Sequence, residues 1–98
     1  MKTQVCANFA KCKTVSKPQD IWFHGTNYHN ALKIERNGFR VGTWFARHME
    51  DAVAFGGSCV FWVRVKFDRV PLRWQVHCTN SIPASAIIKR MDIVRVRP

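Results

Sequence analysis

The apolar pattern along the chain changes period twice. Ile21-Trp22-Phe23 is a short unbroken apolar run with the texture of a buried strand. The spacing then turns helical, with Asn27, Ala31 and Ile34 on one face and Thr26 or Asn27 available as N-cap. Gly38 stands just after Asn37, where a helix commonly hands over to a glycine, so a helix is expected through Asn37. A second short helix is expected from about Met49 to Phe55. Glu50 and Asp51 fall in its first turn, where the helix dipole favours acids, and Gly56-Gly57 stops it.

From residue 58 the period becomes two. Val63, Val65 and Phe67 face one way, Arg64 and Lys66 the other, and Asp68-Arg69 turns the chain. Leu72, Trp74, Val76 and Cys78 share the next inward face, which sends Arg73, Gln75 and His77 outward. Ile82-Pro83-Ala84-Ser85-Ala86 interrupts the strands. Ile87 to Arg97 closes the chain, with Val94 and Val96 opposite Arg95 and Arg97. Residues 1–19 are basic and weakly patterned, adding a strand or staying loose up to Pro18. The expected class is α+β, a small, mostly antiparallel sheet carrying two short helices.

Ninety-eight residues make one domain, 1–98, and 47% hydrophobic content with 12% aromatic is enough to fill a core. Sixteen Lys+Arg against six Asp+Glu leave a formal charge of +10, which points to an anionic ligand or partner. No continuous apolar leader occupies Met1 to Ser16, and no stretch nears the roughly 18 apolar residues of a membrane span. The expectation is a cytoplasmic protein with no membrane contact. Cys6, Cys12, Cys59 and Cys78 form no CxxC pair. A zinc site from Cys6, Cys12 and His29 or His77 fits no familiar spacing, and thiols packed as small hydrophobes are expected instead.

The candidate chemistry centres on His24-Gly25-Thr26 at the end of the first strand. A ring donor followed by a residue with no Cβ lets a ligand reach the backbone closely. Trp44-Phe45 after Gly42-Thr43, and Phe55 at the end of the second helix, offer flat walls for an aromatic ring. Singly, each has a plainer reading: a strand-end histidine, a turn, core aromatics.

Together these residues resemble the ADP-ribosyltransferase superfamily, on the side of the poly(ADP-ribose) polymerases and diphtheria-like toxins. The likeness rests on Phe23-His24-Gly25-Thr26, Asn30-Ala31-Leu32-Lys33-Ile34, Gly38-Phe39, Gly42-Thr43-Trp44-Phe45-Ala46 and Ala52-Val53-Ala54-Phe55-Gly56, and covers about residues 20–67. It implies a split-sheet fold and an NAD pocket. His24 would bond ribose hydroxyls, Gly25 the carboxamide through its backbone, and Thr26, Trp44, Phe45 and Phe55 would line the pocket. Trp44 and Phe55 stand where the family usually has tyrosines, keeping the flat face and losing the hydroxyl. The family's strand glutamate is replaced by Gln75, ahead of Ile82-Pro83.

The implied activity is NAD-dependent mono-ADP-ribosyl transfer to a macromolecular acceptor, with His24 and Gln75 as the catalytic pair and no metal. A carboxylate at position 75 would hold the ribose 2′-OH against an oxocarbenium-like charge; glutamine accepts that hydrogen bond with no full charge. Slow transfer, slow NAD hydrolysis and NAD binding alone all follow from that replacement, and a solvent-facing strand glutamine is the plainer alternative. So small a unit calls for a homodimer or a partner's surface to complete the cleft, and its compactness suits an effector. The contrasting expectation is a non-catalytic module on a degenerate version of the fold. It would bind nucleic acid or an acidic protein through Arg64, Lys66, Arg73, Arg95, Arg97, Lys11, Lys13 and Lys17, unless these are simply solvated faces.

Overall fold

The computed structural model describes residues 9–10, 12–14, 20–68 and 74–93. The elements run β1 (Phe9–Ala10), β2 (Cys12–Thr14), β3 (Ile21–Thr26), α1 (Tyr28–Asn37), β4 (Trp44–Ala46), α2 (Met49–Gly56) and β5 (Cys59–Phe67). They end with β6 (Gln75–Cys78), a 3₁₀ turn (Ala84–Ala86) and β7 (Ile87–Asp92). The class is α+β. Strands lie in the order β1-β6-β4-β3-β5, with β2 and β7 sharing the far edge of β5. All pairings are antiparallel except that of β1 on β6.

The alternation read in β5 sets the layers. Cys59, Phe61, Val63, Val65 and Phe67 are all buried on one face, packed with Trp22, Phe39, Phe45 and Val76. Each such side chain contributes roughly 1.5–3 kcal/mol by leaving water. Helix α1 covers this face through Ala31 and the half-buried Ile34. The opposite face carries a smaller cluster, Ala46, Ala52 and Val60, flanked by Phe23, Trp44 and Trp62, and α2 covers it through Ala52. Helix α2 is seated at the Gly25–Val60 end of this second face, leaving Trp62 and Arg64 half-buried and Lys66 exposed beyond it.

Local chemistry fixes the helix ends. Asn27, rather than Thr26, is the N-cap of α1, its side-chain oxygen accepting the Asn30 N–H at 2.8 Å. Gly38 ends the helix with φ 80°, donating its N–H to the Ile34 carbonyl, and a side chain there would meet the Ile82 carbonyl. Phe39 and Ile82 then exchange backbone hydrogen bonds of 2.7 and 3.0 Å, pinning the 39–43 segment beside the sheet. Arg90 on β7 reaches Glu35 of α1 and Asp92, each at 3.0 Å. Such exposed pairs are worth under about 1 kcal/mol and orient more than they stabilise.

Several expectations need correction. Trp74 is not inward: it is 48% exposed, because β6 begins only at Gln75. The Trp74 carbonyl accepts the Arg47 N–H beyond the end of β4. Strand β7 spans Ile87–Asp92. Arg64 does leave the core face, yet it is half-buried, and its Nε has no hydrogen-bond partner among the described residues. Leu72, Arg73, Val94 to Arg97, Lys11 and Lys17 lie outside the described residues, as do the side chains of Lys13 and Phe55. No helix among the described residues is long and apolar enough to cross a membrane.

Candidate functional site

Strand β3 places its side chains alternately on the two faces. Trp22, His24 and Thr26 start from the α1 face, and Phe23 and Gly25 from the α2 face. On its other edge β3 keeps a single register pair with β4, Phe23↔Ala46. Past that pair the His24 imidazole bridges the two strands, with Nδ1 2.8 Å from the Trp44 carbonyl oxygen. A carbonyl only accepts, so Nδ1 carries the proton and Nε2 keeps its lone pair.

The ring is held from three sides. Its centroid lies 5.5 Å from Phe39, 5.8 Å from Phe45 and 5.1 Å from Trp44. With His24 only 8% exposed, burial lowers its pKa below the ordinary 6.5, outweighing the opposing effect of the bond to Trp44. The imidazole is therefore neutral at pH 7, a hydroxyl acceptor rather than a cation.

This has a consequence for stability. The unfolded chain protonates the histidine near 6.5, the folded chain only at lower pH. Between those values the unfolded state binds more protons, so stability is lost as pH falls below about 6.5. His77, lowered by burial as well, adds to the same trend. Thermal melts from about pH 7.5 to about 5 should show a falling Tm, and His24→Gln should make the decline shallower. An identical decline in that variant would remove His24 as a linked group.

His24 and Thr26 open onto a cavity of about 410 Å³ between β3, α1 and the 39–43 segment. Asn30, Lys33, Ile34 and Asn37 line it from one stripe of α1, with Arg40, Thr43 and Ser81 opposite. The Thr43 hydroxyl donates to the Arg40 carbonyl at 2.6 Å, holding that turn. The wall thus presents two cations, several amides and hydroxyls, a neutral imidazole, and no carboxylate. That donor set suits a phosphorylated, hydroxyl-rich ligand with a flat apolar part against Ile34.

The residues singled out in the sequence divide between the faces. His24 and Thr26 reach the cavity; Phe45 is fully buried in the core behind it and offers no free surface. Gly25, Trp44 and Gln75 belong to the other face, Gln75 paired with Ala46 and half-buried. The missing Cβ of Gly25 is used by packing. A methyl there would run into the Ala52 carbonyl oxygen, and one on Gly56 into the Gly25 backbone. Helix α2, which carries Phe55, is seated by that contact on the face opposite the His24 side chain. The two groups meet only where the β3–β4 ladder opens.

Asn30, Lys33, Asn37, Arg40, Thr43 and Ser81 line the cavity without having been named as pocket residues from the sequence, although Asn30, Lys33 and Thr43 fall in segments that carry the resemblance. A signal existed: Asn30, Lys33 and Asn37 recur at helical spacing as a polar stripe next to the apolar one. No protein-family model matches this chain, and no curated protein matches it in sequence.

Proposed function

We propose that the chain is an NAD-dependent mono-ADP-ribosyltransferase, with NAD as substrate and a macromolecule as acceptor. The observation that carries this reading is the neutral His24, Nδ1–H committed to Trp44, facing a carboxylate-free cavity that holds Lys33 and Arg40. An imidazole fixed in that tautomer accepts a hydrogen bond from a sugar hydroxyl through Nε2. Lys33 and Arg40 suit the diphosphate, and Thr26, Asn30 and Thr43 suit ribose hydroxyls or adenine edges.

Gly25, Trp44 and Gln75 lie on the opposite face of the continuous sheet, so this reading requires the dinucleotide to round the end of the β3–β4 pairing to reach them. Gln75 would accept a hydrogen bond from the ribose 2′-OH, and the loss of the nicotinamide leaving group would proceed without a carboxylate to stabilise the developing charge. This makes the reaction slow. Phe45 is set aside as a wall, since it has no exposed surface.

The test is incubation with NAD labelled in its adenosine half, in a cell lysate, with nicotinamide release measured in parallel. Label should enter macromolecules. Lys33→Ala and Arg40→Ala should each weaken NAD affinity about tenfold, the worth of one charge-assisted contact. NAD affinity unchanged in both variants would overturn the placement of the diphosphate. No binding of NAD at all would overturn the function.

A further inference from the structure

We infer that the part of the α2-bearing sheet face that α2 leaves open, around Trp62, Arg64, Lys66 and Lys89 on β5 and β7, is a docking surface for single-stranded nucleic acid, which makes nucleic acid the acceptor class. As a binding surface it is independent of the NAD site; as an acceptor surface it rests on the function proposed above.

The register brings the relevant side chains together. Phe23 pairs with Trp62, and Trp62 pairs on its other side with Lys89. The Phe23 and Trp62 rings meet edge to face at 5.3 Å, and the Lys89 ammonium sits 4.1 Å over the Trp62 ring. Arg64 and Lys66 follow Trp62 on the same face of β5, spaced about 7 Å apart along the strand. Lys66 and Lys89 are exposed, and no described strand position on this face of β3, β5 or β7 is acidic.

Two polar atoms on this face lack a partner. The Trp62 Nε1 and Arg64 Nε are buried with no hydrogen-bond acceptor among the described residues. Three cations beside an aromatic pair form the combination that single strands use, phosphates on the charges and bases on the flat rings. An acidic peptide would gain from the charges but leave the rings unused. A duplex hides its base faces, and a flat sheet enters neither groove.

The test is fluorescence anisotropy of a labelled single-stranded oligothymidylate, titrated with the full chain without NAD. Binding should be strongly salt-dependent. Lys89→Glu and Lys66→Glu, both at exposed positions, should each lower affinity about tenfold or more, whereas Arg36→Glu on α1, the same charge change on the other face, should do far less. Unlabelled oligothymidylate should compete much better than polyglutamate or a duplex of equal charge. Equal losses in all three variants would mean that only net charge matters and would overturn the surface. Polyglutamate competing as well as the oligonucleotide would overturn the class of ligand. Oligonucleotide binding with no response to NAD would leave this surface standing and remove only its acceptor role.

Discussion

Gly25→Ala should destabilise the fold by about 3 kcal/mol or more, at or beyond the upper end of ordinary overpacking costs. The new methyl has nowhere to go, because the Ala52 carbonyl and the Gly56 Cα that face it are both backbone. Relief requires α2 to move off the sheet, and that motion would expose Ala52 and Val60. Against a total stability of about 5–15 kcal/mol, such a loss is large. Denaturant midpoints measure it, with Ala54→Gly on the exposed side of the same helix as comparison, expected to cost about 1 kcal/mol. A Gly25→Ala cost no greater than that of Ala54→Gly would show that α2 is not seated on Gly25.

Gln75→Glu should raise the rate of nicotinamide release by ~10²–10³, the usual worth of one well-placed electrostatic group. Gln75 sits on the strand next to β4, paired with Ala46, on the face that also carries Gly25 and Trp44. It is half-buried, so a carboxylate there keeps partial access to water and need not be neutralised by burial. NAD affinity should change little, since the diphosphate contacts lie at Lys33 and Arg40 on the other face. Single-turnover kinetics separates the two effects. An unchanged rate with NAD still bound would remove position 75 from the reaction.

Much of the fold was legible because it follows from local periodicity. The buried run Val63, Val65, Phe67 in β5, the helix through Asn37 and the Gly56-Gly57 stop all depend on spacing and glycine chemistry. Trp74 was misread because alternation says nothing about where a strand begins, and β6 begins one residue later. The site was half legible. His24 and Thr26, which line the cavity, could be singled out because a strand-end His-Gly-Thr is a local pattern. Their separation from Gly25, Trp44 and Gln75 depends on which face each strand position takes, and on the β3–β4 ladder opening after Phe23↔Ala46. The cavity residues Lys33 and Arg40 depend on how α1 docks, which is decided by Ala31 and the Phe39–Ile82 pair far from them in sequence.

The most direct measurement is a nitrogen-15 NMR titration of the chain with NAD. Backbone amides of Thr26, Lys33, Arg40 and Thr43 should shift together, and the His24 ring nitrogens should stay in the neutral, Nδ1-protonated pattern as the ligand binds. Saturating NAD that moves none of these amides, or that leaves the His24 ring protonated on both nitrogens at pH 7, would contradict a nucleotide site built around that imidazole.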